Sequence, residues 1–386
     1  MSGHAERYLE LGLRLGKHVD GLVDAYYGPP ELKEQVDAEE PIPAEQLAVD
    51  AHALLAQLPD SWLADQVRAC GAYARVLAGE ELSYSDEVER CYGVRPTRTP
   101  EDVYRAVHEE LDELLPGDGG IRERYVAWRK TQLVDGEEAV AIVGDLLPFL
   151  RERTRAIVQL PDGEGAELEP VGNEPWWAFN YYLGNLRSRV VLNVDVPTSA
   201  YDLIHLAAHE VYPGHHTEHA VKEARFVLSG TAIEEAIQLV PTPQAVLSEG
   251  IAETGEEVAL ADDGARAEAN AIIRRRAGFA ELERAHAIAH ARQDLRTIGV
   301  DAALMIHEDG VSTDEARAYI ERCALMTPEQ AEHSVSFVTD PTWRAYTITY
   351  SAGRDLCRTY VDGDAARFRA LLTEHVRIGD LLAARD

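Results

Sequence analysis

With 386 residues, 46% hydrophobic and 27% charged, the chain has the composition of a globular protein large enough to bury a sizeable core. Its formal charge of −31 argues against nucleic acid and anionic membranes as partners, because both need a positive surface. It has no apolar run of about 18 residues, and MSGHAERYLELG lacks a signal-peptide pattern, so no membrane span or export signal is expected. The four cysteines, Cys70, Cys91, Cys323 and Cys357, form no CxxC pair and read as reduced thiols of a cytoplasmic protein.

In chain order, the apolar residues of AERYLELGLRLGKHVDGLVDAYYG recur three and four apart up to Gly28-Pro29-Pro30, which predicts one amphipathic helix. Similar periodicity marks helices near 43–58, 61–78, 100–115, 120–132 and 137–159, with prolines and glycines between them. The segment 166–196 differs. AELEPVG, WAFNYYLG and SRVVLNVDV are β-branched and aromatic, which predicts two or three short antiparallel strands, the last at Ser188–Val194. Thr198 and Ser199 then read as helix N-caps, and Ser199 with Asp202 resembles a capping box. Helical patterns return near 265–297, 313–325, 327–338, 341–361 and 364–376. The expected fold is mainly α: one multi-helix domain over 1–386, with an N-terminal helical subregion at 1–160 and a metal-site core at 165–386.

The chemistry concentrates in HLAAHEVYPGHHTEH, His205–His219, where five of the fourteen histidines fall together: His205, His209, His215, His216 and His219. Imidazole clusters of this kind suit zinc. An HExxH motif would place its second histidine at 213, where this chain has proline. On an unbroken helix His215 lies about 240° round and roughly 9 Å along from His209, too far to share an ion. Pro213 removes a helix N–H and Gly214 takes dihedrals that other residues avoid, so the pair can bulge and return His215 to the ligand position. His205, four residues before His209, is the rival partner and otherwise a supporting residue; His216 and His219 stay open as substitutes for His215. A carboxylate should complete the set, and AVLSEGIAETGEEVAL carries Glu249, Glu253 and Glu256 on one helical face. Glu249 is the expected ligand, with Glu256 orienting a histidine through its free ring nitrogen. Glu210 is then the general base.

HEVYPGHHTEH resembles the HExxPGHH signature of the bacterial domain-of-unknown-function family 885, read as zinc metallopeptidases with a helical, zincin-like fold similar to the carboxypeptidase Taq family. NYYLGNLRSRVVLNVDVP and LVDAYYGPP look like a shorter branch of the same family. The resemblance implies His209 and His215 as metal ligands and Glu210 as base. It aligns Glu249 to Glu256, EGIAETGE, with that family's EGWALYAE element, whose Trp and Tyr are absent here. TYSAGRDL is similar to its YxPGQA-like element at Tyr350 and Gly353. By the same similarity Tyr350 would donate to the developing oxyanion and Arg354 would clamp a substrate carboxylate. An edge strand at Ser188–Val194, flanked by Arg187 and Arg189, would pair with substrate.

The expected function is therefore a hydrolase holding one Zn2+ per chain and cutting short peptides. The same two-histidine, one-carboxylate set also suits non-haem iron, and a scaffold that keeps the ion without catalysis is the third reading.

Overall fold

Amphipathic periodicity becomes helix along most of the chain, and the fold is mainly α. The computed structural model describes residues 3–174 and 176–385. Helices Ala44–Leu55, Trp62–Leu77, Glu101–Leu114 and Gly136–Ile157 match the predicted stretches. Their apolar faces join one continuous core that runs from Tyr8 to Leu381. The four cysteines are free and buried. None of the described helices is long and apolar enough to cross a membrane.

Seven short strands interrupt the helices: β1 (Val23–Tyr26), β2 (Leu133–Val134), β3 (Gly165–Val171), β4 (Ala178–Gly184), β5 (Arg187–Asn193), β6 (Thr198–Ser199) and β7 (Ile237–Leu239). β1 overturns part of the N-terminal helix prediction. The helix stops at Gly16, Gly21 takes φ +79°, and the chain continues as a strand paired antiparallel with β7. Gly16 and Gly21 were the legible signal, outweighed by apolar spacing that ran on past them.

The three-stranded sheet has the order β3-β5-β4. It is mixed, with β3 parallel and β4 antiparallel to β5, where an antiparallel element was expected. β5 is central, so the predicted edge strand is paired on both sides and has no edge to offer a peptide. Its run Val190, Val191, Leu192 is buried throughout, the pattern of a strand covered on both faces. The edges belong to β3 and β4, and β4 is the one that lines the cleft described below. The Ser199–Asp202 capping box is also absent. Ser199 sits in β6 and donates to Gln132, while Asp202 takes Arg129 at 2.8 Å.

Candidate metal centre

The motif helix, Asp202–Glu210, buries Leu203, Ile204, Leu206, Ala207 and Ala208 in the core. His205, His209 and Glu210 therefore emerge on its other side. The helix ends at Glu210, and Val211 leaves it at φ −126°, ψ −77°. The Tyr212–Pro213 peptide is cis, and a new helix begins at His215 and runs to Lys222. The predicted bulge is thus a complete break between two helices. Gly214 is required there by close approach: a Cβ would lie 1.8 Å from the His209 carbonyl oxygen. That contact is what lets the second helix start against the end of the first.

The outcome is the expected pair. His209 Nε2 and His215 Nε2 are 3.2 Å apart. Glu249 comes from the long buried helix Pro243–Ala259 and stands 3.5 Å from His209 Nε2 and 3.8 Å from His215 Nε2. At zinc bond lengths of about 2.0–2.1 Å, tetrahedral donors lie roughly 3.3 Å from one another. The two imidazole nitrogens and the Glu249 carboxylate, with Oε2 toward His209 and Oε1 toward His215, stand close to the spacing of three corners of that tetrahedron.

Protons support the same arrangement. Ser248 Oγ donates to Glu218 Oε2 at 2.6 Å, so at 3.3 Å from His215 Nδ1 it can only accept, and His215 carries its proton on Nδ1. Its Nε2 is then a bare lone pair aimed at His209. Burial holds both histidines below their ordinary pKa, which favours the neutral form a metal would need. Burial also raises Glu249 well above the usual carboxylate range, against a 2.7 Å hydrogen bond from Tyr346. Its Oε2 is buried and has no partner. With His215 Nε2 bare, the Nε2–H of a neutral His209 can donate to it at 3.2 Å, and a divalent ion at that point would replace that proton and take a lone pair from each of the three residues.

The rival trio, His205, His209 and Glu253, also has atoms close enough for one ion. It already has its cations. Arg296 pairs with Glu253, Arg266 pairs with Glu256, and His205 lies 3.6 Å from Glu253 and 3.3 Å from Glu256. Burial works against a charge on His205, but the two carboxylates overcome it and lift its pKa to about 9. A protonated histidine offers no lone pair, so the His209, His215, Glu249 set is the candidate site. His216 and His219 do not replace His215. His216 is bonded at both ring nitrogens, to Ser188 and Glu164. His219 lines the cleft but belongs to neither trio.

Glu256 is not where it was expected to act: it reaches His205, not a ligand. Glu253 stands nearer that place, with Oε1 3.6 Å from His209 Nδ1, just beyond hydrogen-bond reach. Behind His215 lies a chain that sequence reasoning missed, Ser248 to Glu218 to Lys222, the last link a fully buried ion pair of 2.7 Å. It accounts for the glutamate at 218. Tyr346 was also missed. Its only signal was a position four residues before Tyr350, one helical turn away.

These groups open into a cleft of about 900 Å³. Trp176, Trp177, Phe179, Phe337 and Trp343 supply the aromatic wall that EGIAETGE lacks. Glu210 and Tyr350 face it, and neither side chain has a hydrogen-bond partner among the described residues. Burial raises Glu210 to about 8, partly offset by His205. Tyr350 sits on a π-helical turn, Thr349–Gly353, pressed against the Glu249 helix where Gly353 and Gly250 meet. A Cβ on Gly250 would lie 2.4 Å from the Gly353 carbonyl oxygen. π-Turns of this kind recur at functional sites.

Two predicted substrate residues stand elsewhere. Arg354 is buried and paired with Glu257 at 3.3 Å. Arg189 is exposed on β5, 4.8 Å over the Tyr181 ring and 3.5 Å from Glu169. Neither lines the cleft. One helical turn of spacing placed Arg354 on the Tyr350 face, but the π-turn adds a residue and rotates it away.

No family model matches the chain, and no curated protein does either. Among the solved structures that resemble it, two are each described as a "putative lipoprotein". One, from Colwellia psychrerythraea, has a TM-score of 0.54 at 15% identity over 92% of this chain. The other, of unknown function, is from Shewanella oneidensis and has a TM-score of 0.50 at 14% identity over 98% of this chain. The chain spans 64% of the first and 72% of the second. The likeness is one of fold.

Proposed function

We propose that the protein is a zinc-dependent hydrolase of short peptides. The reading rests on one observation: three lone-pair donors, His209, His215 and Glu249, converge at tetrahedral spacing with no cation of the protein's own, beside an unpartnered carboxylate in an open cleft. Zinc held by these three residues would supply Lewis acidity and bring a water's pKa near neutrality.

Within that reading the protein's residues divide the work. Glu210 takes a proton from the attacking water and returns it to the leaving amide nitrogen. Tyr350, with its phenol free in the cleft, donates to the oxygen that gains charge as the carbonyl is attacked. Tyr346 holds the Glu249 carboxylate, and Ser248 fixes the His215 tautomer. β4 positions the peptide. Asn193 N–H donates to the Trp177 carbonyl at 2.8 Å, so the alternating ladder turns the backbone groups of Ala178 and Asn180 toward the unpaired edge. A substrate strand can add there.

Zinc-loaded wild type and Glu210→Gln are to be compared on a short-peptide library, with metal content measured by elemental mass spectrometry. The variant is expected to keep about one zinc per chain and lose roughly 10²–10⁴ in rate. Equal activity in both would refute the assignment, and one iron per chain in place of zinc would shift it to oxygen chemistry.

A further inference from the structure

The charges facing the cleft are one-sided. Among the described residues no lysine or arginine lines it, while Asp24, Glu210, Glu249 and Asp340 do. Three of these four are committed. Glu249 belongs to the donor set and Glu210 is the base, while Asp340 Oδ1 accepts the backbone N–H groups of Thr342 and Trp343 at 2.8 and 3.1 Å.

Asp24 is left over. It lies on β1, is open to the cleft, and has no hydrogen bond or ion pair among the described residues. Though open to the cleft it is surrounded by the walls, and that enclosure pushes its carboxyl up to about 6. A cationic partner would relieve the cost. A second acceptor is also idle. Asn180 is buried in the cleft wall, where Nδ2 donates to the Glu210 carbonyl and Oδ1 has no partner. The strands carrying the two residues pack side by side, with the Tyr27 ring following β1 set edge-on to Tyr182 of β4 at 5.0 Å.

A free carboxylate and an unpaired amide oxygen are acceptors, and a protonated amine is a group of three donors and no acceptor. The indole and phenyl walls suit a cation or an apolar side chain beside it. A peptide's terminal carboxylate would find no guanidinium or ammonium here, because Arg354 and Arg189 are engaged outside the cleft.

We propose that the cleft selects substrates by a free amino group, held by Asp24 and Asn180, so that short peptides with an apolar or aromatic first residue are trimmed from the amino end. This rests on the peptidase reading and names its substrate class. The test uses the zinc-loaded full chain and one tetrapeptide, Phe-Ala-Ala-Phe, in four forms: free, N-acetylated, C-amidated and blocked at both ends. Acetylation should lower kcat/KM about 100-fold, the equivalent of losing one hydrogen-bonded charged contact. Amidation should change it less than about threefold. Asp24→Asn should raise KM roughly 10–100-fold for the free-amine forms, leave zinc content unchanged and remove the discrimination against acetylated peptide. A second readout needs no turnover: metal-free protein should bind phenylalanine amide more tightly than its N-acetyl derivative in calorimetry, and Asp24→Asn should abolish the difference.

Cleavage of acetylated peptide as fast as free peptide, or loss of cleavage on amidation, overturns the inference and leaves the peptidase reading standing. Absence of cleavage with Asp24-dependent amine binding supports the amine site and removes the peptidase reading. Absence of both removes both.

Discussion

His215 and His216 are neighbours in sequence on one helix, yet they belong to two different kinds of cluster. His215 faces the cleft with Nε2 bare, opposite His209 and Glu249. His216 faces the interior and is fully buried, with Ser188 Oγ 2.8 Å from Nδ1 and Glu164 Oε2 3.0 Å from Nε2. By residue type the second is a Ser-His-Glu triad, the set expected of a serine hydrolase. It has no route to a substrate, and Glu164 is saturated by Tyr212 at 2.6 Å and by Arg151. The lesson is that satisfied polar groups hold a fold together, while unsatisfied ones that converge on open space are where a ligand belongs.

The largest effect that separates the two should come from alanine at each metal donor. His209→Ala and His215→Ala are expected to reduce bound zinc from about one per chain to near zero, with peptidase activity lost alongside. His205→Ala should retain the zinc. Retention by His215→Ala together with loss by His205→Ala would move the centre to the other trio.

The interior cluster should answer in stability. Burial acts to raise Glu164, but the bonds from His216, Tyr212 and Arg151 prevail and hold it at about 2. A depressed carboxyl contributes stability that is complete above its ordinary value near 4.5 and is lost as pH falls through about 2. Glu164→Gln should therefore cost about 3 kcal/mol at neutral pH and keep its zinc. The gap in melting temperature from wild type should close between pH 4.5 and 2. A gap that is constant with pH would mean the carboxylate charge is not what matters.

The smallest effect is expected at the link between the two regions. Ser248→Ala removes the acceptor that keeps the His215 proton on Nδ1, and should weaken zinc about 10-fold without changing the stoichiometry at saturating metal. An unchanged zinc affinity, read by competition with a chelator, would show that the tautomer is set by something else.

The donor residues were legible in the linear chain because ligand chemistry is local. Histidine clustering, a glutamate beside His209, and a Pro-Gly pair that only a stretched motif explains all lie within the fifteen residues His205–His219. Glu249 was reachable as the first of three glutamates on one helical face. The supporting groups were not, because Tyr346, Glu253 with Arg296, and Ser248 with Glu218 are joined across elements far apart in sequence. Their partners depend on how helices pack. Arg354 and Glu256 were misplaced for the same reason: face arithmetic assumes a regular helix and cannot know what stands opposite.

The sequence by itself determined the mainly helical class and pointed to the candidate donor set, since periodicity and ligand type are properties of short segments. Only the tertiary structure decided the rest. It made β5 central and put β4 at an edge beside the cleft, separated two histidine trios by where the arginines sit, and turned Asp24 from a residue read as helical into a carboxylate in the cleft with no partner among the described residues. Each of these depends on which charges and hydrogen-bond partners meet in space, and sequence order does not carry that information.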